Sequence, residues 1–108
     1  MDGLFAHVTA PEDGTVTIEL LGDLDLATRD RLGSAIQAAL SDRPRLVVVD
    51  LGGVRVLDSA GIGALVTGWK TTRNAGGDLV LRNPSRLAYW QLELTGLLEV
   101  FGNPQPPG

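Results

Sequence analysis

The sequence has 108 residues, 44% of them hydrophobic, which gives it the size and composition of one globular domain and excludes a disordered chain. The absence of cysteine excludes disulfides and thiolate metal sites, and one histidine, His7, is too few for a histidine-based metal site or a Ser–His relay. A formal net charge of −4 argues against a general affinity for nucleic acid. We therefore predict no metal, no cofactor and no direct nucleic-acid partner.

Two strand patterns joined by a turn open the chain. Residues 4–9 read as a short strand, and residues 15–21 alternate polar and apolar side chains, the period of a half-buried strand. The intervening Pro11-Glu12-Asp13-Gly14 is typical of a turn, so we expect an antiparallel hairpin. Gly22-Asp23-Leu24-Asp25 is expected to break the second strand.

The middle of the chain predicts two amphipathic helices separated by a buried strand. Residues 27–40 and 59–73 carry apolar side chains at i, i+3, i+4 and i+7, the spacing of one helix face. Between them, residues 45–51 contain a continuous apolar run, typical of a central parallel strand covered on both faces. Gly52 and Gly53 then lead into residues 54–58, which we expect to form a loop before the second helix.

The last third predicts a strand over 78–82 and a helix from Ser85, a plausible N-cap, to Leu94. The sequence leaves open whether residues 97–101 add an edge strand. The expected fold is therefore α/β, a small mixed sheet of four to five strands packed with three main helices, in the order β-β-α-β-α-β-α with an optional last strand. We assign residues 1–101 to one domain and the proline-rich residues 102–108 to a disordered or extended tail.

The start of the second helix, Asp58-Ser59-Ala60-Gly61, carries the most chemical information. Asp or Ser at a helix start accepts hydrogen bonds from free backbone N–H groups, and a hydroxyl in the first turn is presented to solvent. By position alone, Ser59 is therefore either a capping residue or an exposed functional hydroxyl.

Three glycines, Gly61, Gly63 and Gly68, lie within this one predicted helix. Each costs about 1 kcal/mol relative to alanine in a helix interior. Either close packing against the sheet or a partner docking on the helix would compensate for that cost, and the sequence leaves both open.

Three segments together resemble the signature of the STAS domain family, and of its anti-sigma factor antagonists in particular. Residues 58–61, with Gly63, are similar to the motif in which an aspartate, a phosphorylatable serine or threonine, a small residue and a glycine open the second helix. Gly22-Asp23-Leu24-Asp25 resembles the family's Gly-acidic-apolar-Asp element, and residues 92–97 resemble a recurring element near its C-terminus. The matches span roughly residues 5 to 101, and their joint occurrence is a stronger signal than any one motif.

The resemblance implies a non-enzymatic switch protein that regulates sigma-factor-dependent transcription. In such antagonists the unmodified protein binds a serine-kinase anti-sigma factor. That kinase phosphorylates the helix-opening serine, which releases the antagonist from the kinase. A PP2C-type phosphatase removes the phosphate and restores binding. The resemblance implies Ser59 as the phosphorylation site. It places the partner-binding surface at Asp23, Asp25, Asp58, Ser59, Ala60, Gly61 and Gly63.

Three other functions are weighed against this one. A phosphoacceptor receiver domain would use Asp50 at a strand end, but its acidic pair for Mg²⁺ is missing after the first strand. A hydrolase using Ser59 lacks a base partner and the Gly-x-Ser-x-Gly elbow. A STAS subunit of a membrane transport or scaffold complex would have the same fold with a different partner, and it stays the alternative.

The remaining expectations concern location and surface. The N-terminal sequence shows no basic region followed by an apolar run, and no stretch approaches the ~18 apolar residues of a membrane span, so we expect a cytoplasmic protein. Arg55 is expected to be a solvated loop charge, although it could pair with a carboxylate. Whether Tyr89 and Trp90 form a partner patch, and whether the protein self-associates, is left open.

Overall fold

A mixed four-stranded sheet and three helices make up the described part of the chain, residues 3–107 of a computed structural model. The elements are β1 (Leu4–Val8), β2 (Thr15–Leu24), α1 (Arg29–Leu40), β3 (Leu46–Leu57), α2 (Ser59–Asn74), β4 (Asp78–Arg82) and α3 (Arg86–Leu94). The strands lie in the order β1-β2-β3-β4. β1 and β2 are antiparallel, whereas β2–β3 and β3–β4 are parallel. The predicted fold class and element order are confirmed.

One face of the sheet carries most of the core. Alternate residues of β2, beginning at Val16, Ile18 and Leu20, are buried, and the register aligns Val16 with Val47 and Ile18 with Val49. α1 and α2 pack against each other, and Leu32 and Leu65 from these helices join the same apolar cluster. The periodicity of α1 therefore marks its buried face, whereas on α2 only Leu65 of the spaced apolar residues is fully buried and the others are partly buried.

Both central strands are longer than predicted. Gly22-Asp23-Leu24 continues β2, and Gly52 and Gly53 lie inside β3, so the expected strand break and loop are wrong. The pairing of β2 with β3 shifts register between Glu19 and Leu21 and again between Gly22 and Asp23. The glycines therefore lie at bulges in a continuing ladder, where a missing side chain lets two strands approach closely. As a result, β3 leads to α2 through a single residue, Asp58.

Residues 98–101 form turns and Leu97 lies in no regular element, which corrects the optional edge strand over 97–101. Phe101 is completely buried, and its carbonyl oxygen accepts a hydrogen bond from the N–H of Leu81 at 3.1 Å. Leu97, Leu98 and Val100 pack against the core. The apolar residues that suggested a strand thus form a hydrophobic plug, joined to the edge of β4 by one bond.

The tail continues from this plug without regular secondary structure. Pro104 is buried, so at that residue the chain is part of the packed structure and not a free tail. The division into a domain of residues 1–101 and a tail of residues 102–108 stays a prediction. Met1, Asp2 and Gly108, which that division includes, lie outside the described residues.

Candidate functional site

Ser59 is the first residue of α2 and is exposed to solvent. The cap of this helix is Asp58, whose Oδ1 accepts a hydrogen bond from the N–H of Gly61 at 2.8 Å. An extended backbone at Asp58, φ −103° and ψ −177°, turns the chain from β3 into the helix. Of the two interpretations of Ser59, the structure favours the exposed hydroxyl, because Asp58 caps the helix and Ser59 lies at the surface.

Asp58 also joins the start of α2 to the β2–α1 connection. Its second oxygen, Oδ2, accepts a long hydrogen bond from the N–H of Leu26 at 3.4 Å. Leu26 is 64% exposed, which is unusual for a large apolar side chain. One carboxylate thus ties the backbone of an exposed leucine to the residue that precedes the exposed serine, and the sequence analysis had not singled out Leu26.

Asp25 organises this connection from within. Its Oδ1 accepts hydrogen bonds from the N–H groups of Ala27 at 3.0 Å and of Thr28 at 3.1 Å, and from the Thr28 hydroxyl at 3.1 Å. The Thr28 hydroxyl also lies 2.6 Å from the carbonyl oxygen of Asp23, to which it donates. Since a hydroxyl donates one proton, the short bond to Asp23 dominates and the contact with Asp25 is secondary. The Asp25 carboxylate is half-buried and orders the loop before α1.

Asp23 is held by an ion pair inside the sheet. Its side chain is 8% exposed, and Oδ1 lies 3.3 Å from the guanidinium of Arg55, whose side chain is 65% exposed. The expected loop position of Arg55 is therefore wrong, and the alternative, that Arg55 pairs with a carboxylate, is confirmed. The error arose from reading residues 54–58 as a loop, whereas Arg55 is a residue of β3 one position before the partner of Asp23 in the ladder, Val56.

The glycines of α2 divide between the two alternatives left open by the sequence. A β-carbon added at Gly61 would collide with the carbonyl oxygen of Leu24, and one at Gly68 would meet the side chain of Ile36. At Gly63 an added β-carbon has no neighbour within 4 Å. Gly61 and Gly68 therefore allow α2 to pack closely against its neighbours, whereas Gly63 leaves an open surface on α2 that no side chain covers.

That open surface belongs to a groove between α1 and α2, with a volume of about 850 Å³. Its α2 wall carries small side chains at Ala60, Gly63 and Ala64, directly after Ser59. The other lining residues are Arg29, Asp30, Gly33, Ser34, Gln37 and Thr67. The contribution of α1 was missed, although small or polar residues spaced three and four apart on both helices were a usable signal.

Seven residues were predicted to bind a partner. In the structure some of them lie at the surface and others are buried. Ser59 is exposed, Ala60 and Gly63 line the groove, and Asp58 joins the loop to the helix. Asp23 and Gly61 are buried, so neither presents a side chain to the surface. Asp25 shapes the neighbouring loop.

Other polar residues do not extend this site. Asp50 lies within β3, where its carboxylate accepts bonds from the N–H of Gly52 at 2.8 Å and from Arg82 and Asn83 at 3.2 Å. In residues 3–107, no group of three or more His, Cys, Asp or Glu side chains is placed to hold a metal ion. No helix in the same range combines the length and apolar character needed to cross a bilayer. The candidate site therefore consists of an exposed hydroxyl and a neighbouring groove whose α2 wall is made of small residues.

Comparison with known proteins identifies the family of the chain. The family model described as Mlab, STAS domain, matches residues 7–102. An anti-sigma F factor antagonist from Paenibacillus polymyxa is 24% identical over 89 residues, covering 82% of this chain and 76% of that protein.

Two solved structures extend the comparison. An anti-sigma factor antagonist from Mycobacterium paratuberculosis superposes with a TM-score of 0.80 at 27% identity, covering 96% of this chain and 86% of that one. The anti-sigma factor antagonist SpoIIAA, unphosphorylated, gives a TM-score of 0.76 at 19% identity, covering 96% and 89%. At that identity the SpoIIAA likeness shows the fold alone, but the family model covers most of the sequence. This chain belongs to the STAS domain family.

Proposed function

We propose that this protein is an anti-sigma factor antagonist that acts by binding and not by catalysis. In this proposal it binds a serine-kinase anti-sigma factor while Ser59 is unmodified, and phosphorylation of Ser59 by that kinase releases it. A PP2C-type phosphatase then restores binding, so that sigma-factor-dependent transcription follows the phosphorylation state in the cytoplasm. The observation that carries the proposal is that Ser59 is exposed and directly precedes Ala60, which lines the α1–α2 groove.

The groove is suited to a protein partner because its α2 wall lacks bulky side chains. Ala60 and Gly63 allow a partner's backbone or side chains to approach α2 closely. Leu26, exposed and held beside the helix start by Asp58, supplies an apolar contact next to Ser59. A polar hydroxyl flanked by an apolar side chain and an open groove matches the mixed chemistry of protein interfaces.

Phosphorylation would change this surface without unfolding the protein. A phosphate on Ser59 adds about −1.5 to −2 charges at neutral pH, and the free N–H groups and dipole of a helix N-terminus accept such a charge. Asp58, the preceding residue, is already acidic, and so is Asp30 on the groove wall. A partner matched to the neutral hydroxyl would have to desolvate the dianion, and a loss of ~3 kcal/mol weakens binding more than a hundredfold.

The decisive experiment is incubation of the protein with candidate serine kinases and ATP, followed by intact mass measurement. We expect one phosphate on the native chain and none on Ser59→Ala. Ser34→Ala is the matched control, because Ser34 is likewise an exposed serine and lines the α1–α2 groove, and this substitution should leave phosphorylation unchanged. Phosphorylation of Ser59→Ala at the native rate would refute the assignment.

Binding is measured separately from phosphoryl transfer. A folded Ser59→Glu variant should bind the kinase at least a hundredfold more weakly than the native protein, and a PP2C-type phosphatase should restore binding of the phosphorylated form. Full-affinity binding by Ser59→Glu would contradict the switch. Recovery of the protein with membrane complexes, and not with a cytosolic kinase, would instead favour a transport or scaffold subunit.

A further inference from the structure

An apolar stripe on α3 lies outside the site described above. Leu87, Trp90 and Leu94 are 49%, 55% and 65% exposed, although all three are large apolar residues. At about 100° per residue they fall within a 60° arc of the helix surface. The opposite face, with Ala88 and Leu92, is buried in the core. The stripe is therefore a distinct apolar surface and not the edge of the packed face.

Two opposite charges flank this stripe on one side. Arg86 and Glu93 are both exposed, and their positions on the helix differ by only about 20°. Neither takes part in an ion pair within residues 3–107. They are about 10.5 Å apart along the helix axis, so each is free to meet a charge from another molecule.

The arrangement is close to symmetric about Trp90. Arg86 and Leu87 lie four and three residues before it, and Glu93 and Leu94 lie three and four residues after it. If a second copy of α3 packs antiparallel about a two-fold axis at Trp90, each Arg86 comes opposite a Glu93 and each Leu87 opposite a Leu94. A parallel arrangement would put the flanking charges on opposite sides of the contact, where they could not pair.

We propose that the α3 stripe, defined by Leu87, Trp90 and Leu94, binds the same stripe of a second copy of this chain in an antiparallel homodimer. Apolar contact across the stripe provides the attraction, and two Arg86–Glu93 pairs fix the direction. This interface is independent of Ser59 and of the proposed kinase. Three side chains are a small surface compared with the roughly 800 Å² per partner of a stable complex, so the dimer is weak and concentration-dependent.

The test is sedimentation equilibrium of the full chain over a concentration series from micromolar to millimolar. We expect the average mass to rise from monomer towards dimer. Arg86→Glu should weaken the dimer roughly tenfold, because two attractive pairs become repulsive. The double variant Arg86→Glu/Glu93→Arg should restore the native dissociation constant. Lys70→Glu, the same charge change at an exposed position on α2, is the control and should leave it unchanged.

Cross-linking provides a second measurement that depends on geometry. Since the chain has no cysteine, Trp90→Cys introduces a single thiol at the proposed two-fold axis, and mild oxidation should give a disulfide-linked dimer. Lys70→Cys should cross-link far more slowly, and circular dichroism verifies that both variants are folded.

Several outcomes would overturn the proposal. A native protein that stays monomeric to millimolar concentration excludes the homodimer. A double charge swap that binds no better than Arg86→Glu excludes the antiparallel arrangement, as does equal cross-linking at positions 70 and 90. Loss of kinase binding in Trp90→Arg, with a strictly monomeric native protein, would assign the stripe to that partner.

Discussion

Gly61 packs directly against the backbone carbonyl of Leu24, so that the first turn of α2 touches the end of β2. This contact brings the capped helix start, with Ser59, beside the loop that carries Leu26. The position of the candidate site therefore depends on a residue whose contribution is the absence of a side chain.

The first prediction compares two glycines of α2. Gly61→Ala should lower the free energy of unfolding by about 1–3 kcal/mol, because its β-carbon meets backbone that cannot move aside easily. Gly63→Ala should raise it by up to ~1 kcal/mol, since the new methyl group meets no atom and helix propensity improves. Urea unfolding of both variants decides the matter, and equal effects at the two positions would contradict the packing described here.

A second prediction concerns the cap of α2. Asp58→Ala should lower the free energy of unfolding by about 1 kcal/mol, because the Gly61 N–H loses its acceptor. Asp58→Asn keeps a capping oxygen and should lose less than half as much. Thermal or urea unfolding of the two variants measures the difference. If Asn were as harmful as Ala, the charge of Asp58 and not its capping bond would be the stabilising feature.

A third prediction follows from the ion pair between Asp23 and Arg55. Arg55→Ala leaves a buried carboxylate without its cation and should destabilise the protein by about 1–2 kcal/mol, a value reduced by the exposure of the arginine. Arg55→Lys keeps a positive charge within reach and should recover part of that loss. Unfolding curves in which both variants match the native protein would show that the pair contributes nothing.

The fourth prediction tests whether the segment after α3 belongs to the core. Phe101 is fully buried, so Phe101→Ala should lower the free energy of unfolding by about 3–5 kcal/mol. Asn103→Ala, at an exposed position two residues further on, serves as the control. Asn103→Ala should itself lower the free energy of unfolding, because Asn103 has a positive φ of 51° that alanine adopts less easily, but this loss should be much smaller than that of Phe101→Ala. A small effect of Phe101→Ala in denaturant titrations would mean that this segment only rests on the surface.

The sequence predicted α1 well because the spacing of its apolar residues records which face is buried. The stripe of α1, for example, includes Leu32, Ala35 and Ile36, and all three are buried. The wrong strand break after Leu21 and the wrong loop after Leu51 share one cause, since glycine in a local window normally ends a strand. Gly22 and Gly53 instead lie opposite other backbone in a bulged ladder, and that neighbour is distant in the sequence.

The candidate site was likewise only partly predictable. The motif of Asp58 and Ser59 is contiguous, and a helix start has the same hydrogen-bonding needs in any fold. The groove combines α1 and α2, and the Asp23–Arg55 pair joins residues 32 positions apart, so neither could be read from one segment.

By itself, the sequence determined the order of strands and helices, the apolar face of α1 and the serine that opens α2, because these depend on periodicity and on local capping chemistry. The tertiary structure alone decided which acidic residues are buried, which glycine stays open and where Leu26 lies. Those properties depend on contacts between segments far apart in the chain, which only the packing of α1 and α2 on the sheet brings together.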